Sequence, residues 1–231
     1  MQNEVVDIIV PVYNEEQGLQ EFFHRVAALP LNVHLIFIDN ASTDNSLKML
    51  QSYKGAMVIE HQHNEGYGAS LRDGIRAASS DKIVIIDADC EYPPEAIPDL
   101  VNELDEHEVV YTSRFLEEQQ SSMPFLKMFG NKVISWLFNL LFDQHVTDLY
   151  TGSKGFRREV VADLTMERDG FEHVLEVAAR LAKKGIAIHE IPVPFRARQT
   201  GKSNMSHVTE TLKYLYFLVL YCVTIPKSNT G

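Results

Sequence analysis

Short apolar runs that break into acidic and turn-forming residues recur along this chain. Three share one design: Asp7-Ile8-Ile9-Val10-Pro11-Val12-Tyr13-Asn14-Glu15, His34-Leu35-Ile36-Phe37-Ile38-Asp39-Asn40 and Lys82-Ile83-Val84-Ile85-Ile86-Asp87-Ala88-Asp89-Cys90-Glu91. Their β-branched and aromatic content predicts strands. Helix-like stretches follow each of them, over 15–28, where Phe22, Phe23, Val26 and Leu29 form an apolar stripe, over 44–53 and over 94–104. Strands alternating with helices predict an α/β fold with a mostly parallel central sheet flanked by helices. Ligands of such sheets bind beyond the carboxyl ends of the strands, so the three acidic ends should crowd one edge.

The same pattern places the remaining elements. Residues 57–60 read as a strand leading into Asn64-Glu65-Gly66-Tyr67-Gly68 and a helix containing Leu71, Ile75 and Ala78. Two glycines at a strand-to-helix joint allow close backbone approach to a ligand, and a helix start attracts anions. A dinucleotide fingerprint needs a third glycine, so NAD binding is not predicted. Residues 109–114 form a further strand ending in Arg114, which either holds a phosphate or neutralises the carboxylates. The polar stretch 116–124 reads as a loop over the site. From Phe125 to Phe142 the chain is strongly apolar, but Lys127, Asn131, Lys132 and Asn139 interrupt it too often for a membrane span. It is either a core helix or one lying on a bilayer surface. Residues 148–158 are glycine-relieved and basic, 171–184 form an amphipathic helix, and 186–194 form a last strand. The loop that follows carries Arg196, Arg198 and Lys202, which suits a diphosphate or a phosphate headgroup. Residues 212–225 are apolar, with Tyr214, Tyr216, Phe217 and Tyr221 of the kind enriched at membrane interfaces. The expectation is one domain over 1–205 with an apolar, interfacial helix appended over 206–231.

Charge sharpens this picture. The 231 residues carry a net charge of −11, which argues against a nucleic-acid binder. Residues 81–120 hold twelve acids against two bases, whereas 151–231 hold twelve bases against eight acids. In an extended segment alternate side chains share a face, so Asp87, Asp89 and Glu91 are expected to converge, and hard oxygen ligands suit Mg²⁺ or Mn²⁺. The plain reading is a strand end whose acids point into water. Two dispersed cysteines make neither a disulfide framework nor a zinc cage, which points to a reducing compartment. No basic-then-apolar signal segment opens the chain, so a cytoplasmic location is expected, with peripheral contact on the membrane face.

Taken in series, Val10-Pro11-Val12-Tyr13-Asn14-Glu15, Ile38-Asp39-Asn40-Ala41-Ser42-Thr43-Asp44, Asn64-Glu65-Gly66-Tyr67-Gly68, Asp87-Ala88-Asp89 and Arg198-Gln199-Thr200-Gly201-Lys202-Ser203 resemble family 2 glycosyltransferases. Within the family the likeness is to dolichyl- or polyprenyl-phosphate mannosyl- and glucosyltransferases. The resemblance implies a GT-A, Rossmann-like fold and inverting transfer from a GDP- or UDP-sugar donor to a lipid-phosphate acceptor. It implies that Pro11, Tyr13, Glu15 and Asp39 hold the nucleoside, with Asn64, Gly68 and Ala88 in the same donor-side motifs. Asp87 and Asp89 match the Asp-x-Asp that meets metal and diphosphate, and Glu91 stands at a third metal-ligand position. Arg114, Arg198 and Lys202 match basic positions near donor phosphates and acceptor, and Asp148 matches an acid near the reacting centre. The chain departs from the family pattern at Asn40-Ala41, at Asn131, at Asn204 and in the stretched segment Thr151-Gly152-Ser153-Lys154-Gly155-Phe156-Arg157.

In such a transfer an oxygen nucleophile attacks the anomeric carbon as the nucleotide diphosphate departs from the opposite face. A lipid phosphate is already anionic and needs little activation, whereas a hydroxyl acceptor needs a base, for which Asp148 is the candidate. Asp148 reads equally as a cap of the following turn. Two further readings stay open at this point, a transferase with a hydroxyl acceptor and a non-catalytic sugar-nucleotide-binding partner subunit. Oligomeric state is not legible.

Overall fold

The computed structural model describes residues 4–116, 125–194 and 207–226. A seven-stranded sheet divides it, formed by β1 (Val5–Val12), β2 (Asn32–Asp39), β3 (Met57–Glu60), β4 (Lys82–Ile86), β5 (Val109–Ser113), β6 (Ser153–Arg157) and β7 (His189–Pro192). The strand order is β3-β2-β1-β4-β6-β5-β7. All neighbours pair in parallel except β6, which is antiparallel to both β4 and β5.

Side chains alternate between the two faces of the strands, and each face carries its own apolar layer. On one, Val6, Ile8, Val10, Phe37, Val84 and Ile86 pack under α1 (Glu16–Ala27), α2 (Ser46–Ser52) and α4 (Ile97–Glu103). On the other, Ile9, Ile36, Ile38, Ile83 and Ile85 meet α3 (Tyr67–Ala77), α5 (Phe125–Phe142), α6 (Arg158–Ala162), α7 (His173–Lys183) and α8 (His207–Thr224). The apolar C-terminal stretch thus begins its helix earlier than its sequence pattern indicates. It buries Tyr214, Phe217, Leu218 and Tyr221 in that second layer.

The sheet's one antiparallel strand lies where the sequence reads as a glycine-relieved basic segment. Gly155 brings β6 against Leu100 and Leu104 of the neighbouring layer, where an added Cβ would stand 3.1 Å from Leu104 Cδ1. Lys154 is buried within the same strand. Among the described residues, no helix is long and apolar enough to cross a membrane.

Candidate active site

The carboxyl ends of β1, β2, β4 and β5 and the amino end of β6 share one edge of the sheet, as the alternation of strands and helices implies. Asn14 (φ 58°), Ala41 (φ 60°) and Cys90 (φ 57°), which follow β1, β2 and β4, all adopt the left-handed region. Such backbone is uncommon outside glycine, and its repetition along one edge marks loops held in shape by their surroundings.

Two of these loops are stitched together by side chains. Asn14 N donates to Ser42 Oγ at 3.0 Å, Glu15 N to Ser46 Oγ at 2.8 Å, and Thr43 N to Asn14 Oδ1 at 2.7 Å. Asp44 accepts from Ser46 N at 2.9 Å and from Glu16 N at 3.2 Å, so it caps the first turns of both α2 and α1. Burial pushes its carboxyl up, but the bonds from Ser46 and Glu16 outweigh that and hold it below the usual range. Pro11 is half-buried in β1, where Val12 pairs with Asp39 at the end of β2, and Tyr13 and Glu15 beyond it are also half-buried. Asp39 is 1% exposed; its Oδ2 accepts from Ser42 N at 3.1 Å, while its Oδ1 is buried with no partner among the described residues. A buried carboxylate oxygen without a donor is costly, and it is a ready acceptor for an N–H or O–H of a ligand.

Residues 87–91 are not the extended run on which the convergence of alternate carboxylates was expected. The strand ends at Ile86, and the chain then turns through left-handed Cys90, with Asp89 Oδ1 accepting from Glu91 N at 3.0 Å. The turn, rather than strand alternation, keeps the three acids in electrostatic reach of one another. Burial, then the charges of Asp89 and Glu91, push the Asp87 carboxyl up, against the lowering influence of buried Lys154 and a 3.0 Å hydrogen bond from Tyr67 Oη. Burial in turn drives the Lys154 ammonium down. Among the described residues the three acids are not one of the groups whose ligand atoms all lie within 4.8 Å of one another. Even so, three carboxylates gathered in one turn are chemically suited to a hard divalent cation.

Asp148 lies at the centre of a dense hydrogen-bond network. It is fully buried, and its carboxylate accepts four hydrogen bonds: from Arg114 Nε (2.6 Å), Arg114 Nη2 (2.7 Å), Arg114 N (3.2 Å) and Asn131 Nδ2 (2.6 Å). Its acceptor positions are filled by Arg114 and Asn131, and its own carbonyl accepts from Thr151 N at 3.3 Å in the turn that follows. It anchors Arg114, whose guanidinium also lies 5.3 Å from the centroid of the Tyr92 ring. Asn131, a departure from the family pattern, serves the same carboxylate. From the far side, Glu190 accepts from Thr147 N at 2.7 Å and Asp148 N at 2.9 Å, fixing the segment that carries the acid.

The glycines at the start of α3 are needed, but for a different neighbour. Gly66 has φ 99°, and a Cβ on Gly68 would stand 2.6 Å from His173 Cβ. Asp169 O accepts from Gly68 N at 2.7 Å and from Ala69 N at 3.3 Å, so the chain itself occupies the helix start. The Gly68 amide is thus paired within the chain. Asn64 instead joins a network in which its Oδ1 accepts from Asn40 Nδ2 at 3.1 Å. Ala88 is buried, and its carbonyl lies beside Gly18 of α1.

Sequence reasoning passed over Gly152 and Lys154 as site residues. A Cβ on Gly152 would collide with Asp87 Oδ2 and stand 2.8 Å from Tyr92 Cε2, and Lys154 Nζ donates to Thr151 O. The signal was the Thr-Gly-Ser-Lys-Gly sequence, whose chemistry is visible but whose strand is not. Arg198 and Lys202 lie outside the described residues.

The model of Glycosyl transferase family 2 matches residues 7–165, which carry Asp39, Asp87, Asp89, Glu91 and Asp148. The chain belongs to glycosyltransferase family 2. This glycosyltransferase is 27% identical over 225 residues to a dolichol-phosphate mannosyltransferase of Pyrococcus furiosus, covering 93% of this chain and 63% of that protein. The chain thus spans less than two thirds of that relative. It is 30% identical over 233 residues to the undecaprenyl-phosphate 4-deoxy-4-formamido-L-arabinose transferase of Klebsiella pneumoniae, covering 96% of this chain and 68% of that one. In fold, it is similar to the glucosyl-3-phosphoglycerate synthase of Mycobacterium tuberculosis, solved with Mn²⁺, uridine diphosphate and glucosyl-3-phosphoglycerate. The TM-score is 0.73 at 20% identity, over 99% of this chain and 83% of that one. This likeness bears out the GT-A architecture.

Proposed function

We propose that this glycosyltransferase moves a sugar, with inversion, from a nucleotide-diphosphate sugar to a polyprenyl phosphate at a membrane surface. The observation that carries the donor half is the buried, partnerless Oδ1 of Asp39 at the end of β2, an acceptor suited to the N–H edge of a base. Tyr13 and Glu15, half-buried just beyond the neighbouring strand β1, are proposed to join it in holding the nucleoside. Asp89, with Asp87 and Glu91, would hold Mg²⁺ or Mn²⁺ against the donor diphosphate; when bound, the ion takes up the negative charge that develops on the leaving group. Gly152 keeps room for the Asp87 carboxylate, and Tyr67 orients it by its hydrogen bond.

The acceptor half rests on chemistry. A hydroxyl acceptor would need a base, and Asp148 is committed to Arg114 and Asn131. A phosphate arrives ionised and attacks without one. The relatives named for dolichol-phosphate and undecaprenyl-phosphate chemistry support that choice. Phe129, Trp136 and Leu140 of α5 and Tyr216, Val219 and Val223 of α8 are exposed, with Val223 79% accessible, which supports contact with a lipid surface. Arg198 and Lys202 are proposed to meet the phosphates.

The test is an incubation of UDP- and GDP-sugars with polyprenyl phosphate in vesicles, with Mg²⁺ or Mn²⁺ or with chelator. Expected is a lipid-linked sugar of inverted anomeric configuration that requires both cation and Asp89. Transfer to free sugars or glycans but not to the lipid phosphate would overturn the acceptor assignment.

A further inference from the structure

At the opposite edge of the sheet, three ligand-type side chains meet outside the site described above. Glu103 ends α4, and the chain continues for one more turn in which His107 N donates to Glu103 O at 2.9 Å. That spacing sets the two side chains on one helical face. His189 opens β7, paired with Val110, roughly 10 Å along the strand from the end that faces the donor site. The ligand atoms of Glu103, His107 and His189 all lie within 4.8 Å of one another.

Both histidines stand at ion-pair distance from Glu103, but neither makes a close hydrogen bond to it. His107 Nε2 and His189 Nε2 stand 3.7 and 3.5 Å from Glu103 Oε2, beyond hydrogen-bond range. The two imidazoles stack with centroids 3.9 Å apart and planes 11° apart, where two positive rings would repel. The spacing is right for a shared cation. Ligands about 2.0–2.1 Å from a tetrahedral Zn²⁺ lie about 3.3 Å from each other, within a few tenths of an ångström of the two distances here. Closure about an ion would splay the stacked rings, which their 37% and 40% side-chain exposure permits. The second trio, His61, Glu65 and Asp73, is already used otherwise: His61 Nδ1 and Nε2 bond to Asn40 Oδ1 and Asp73 Oδ2.

We propose that Glu103, His107 and His189 form a binding site for one borderline divalent cation of the Zn²⁺ type, tying the edge strand β7 to the end of α4. Two imidazoles and a carboxylate favour Zn²⁺ over the Mg²⁺ or Mn²⁺ that suits an all-oxygen site. A fourth position stays open to water, and the cation would tie α4 and its last turn to the edge strand.

The test titrates ZnCl₂ into the full chain under excess Mg²⁺, read by calorimetry and by melting temperature, with Co²⁺ absorption as a probe of ligand geometry. One equivalent of Zn²⁺ should bind, and at 100-fold excess over its Kd it should raise Tm by about 5–10 °C. His107→Ala and His189→Ala should each weaken that binding by at least about 10–100-fold and abolish the Co²⁺ band, while Glu103→Gln weakens it less. All three side chains are part-exposed, so the variants should keep the zinc-free melting temperature, which verifies that they fold. Unchanged affinity in the His107→Ala/His189→Ala double variant, or no zinc-dependent shift in the unaltered chain, overturns the proposal.

Discussion

Asp148→Asn separates two roles for the most buried acid of the site. The native carboxylate is inaccessible to solvent, and the Arg114 side chain it holds is only 9% exposed. Asparagine keeps the shape but loses the charge, and its amide places a donor against Arg114 or Asn131 whichever way it is turned. Removing one member of a buried ion pair costs about 3–5 kcal/mol. For a chain of this size that lowers Tm by about 6–20 °C. Differential scanning calorimetry measures the loss, and turnover on the same preparation across pH measures the rest. An anchoring Asp148 predicts a large fall in Tm and a pH profile of unchanged shape. Replacing both partners, with Asp148→Leu and Arg114→Met, should then cost less than the two single changes together, because no charge is left stranded. A melting temperature equal to that of the unaltered protein, joined to loss of the acidic limb of the kcat profile, would instead make Asp148 the base and refute the reasoning.

Other consequences are as direct. Asp39→Ala should weaken donor affinity by about 10–100-fold, the worth of one hydrogen bond to a charged group, with Kd read by calorimetry; unchanged affinity removes Asp39 from the donor site. Gly152→Ala forces a methyl against Asp87 and Tyr92, and overpacking of that kind costs about 1–3 kcal/mol; turnover should fall more steeply than donor affinity, and full activity would show that Asp87 has room to spare. Asp7, fully buried, accepts from Ser79 N at 2.6 Å, Ser80 N at 2.7 Å and His34 Nδ1 at 2.9 Å. Burial pushes its carboxyl up, but these bonds outweigh it and hold the folded pKa below 3.8. Its contribution is therefore complete above the unfolded value and is lost as pH falls from about 4 toward the lower folded one, so urea unfolding of Asp7→Ala should show a shallower loss of stability over that acid range.

The donor edge was legible because β1, β2 and β4 are predominantly apolar runs that end where acids and turn residues begin. The register of apolar residues also recovers α1, α3, α4 and α7 to within a few residues. What escaped was β6. Ser153-Lys154-Gly155-Phe156-Arg157 has no strand pattern, because Lys154 is buried by acids across the sheet and Gly155 by a close approach from α4. Nothing in single-sequence periodicity encodes either cause. The alternate-carboxylate expectation failed for a related reason: strand spacing was extended past Ile86, into a turn stabilised by Asp89 itself. The glycine pair at α3 was read correctly as a site of close approach, while its partner, the 168–170 backbone, lies a hundred residues along the chain.

The charge around this edge bears on the order in which the proposed substrates are accommodated. Asp39, Asp87, Asp89, Glu91 and Asp148 gather there, against the cations Arg114 and Lys154. Arg114 is bonded to Asp148, and Lys154 is buried beside Asp87 with its ammonium donating to Thr151 O. Their charge is thus spent inside the protein on its own acids. A diphosphate approaching Asp89 and Glu91 meets like charge, which in a half-buried site repels far more strongly than in water. On the proposed reading, divalent charge at Asp87 and Asp89 is consequently a condition of donor binding as well as of bond cleavage. A lipid-phosphate acceptor, as proposed, would face the same repulsion, and the basic excess over residues 151–231, with Arg198 and Lys202 in it, is where a compensating charge is available. On the proposed reading, acidic donor loops and a basic stretch over 151–231 serve one reaction, in which both reactants would bring negative charge to the same carbon.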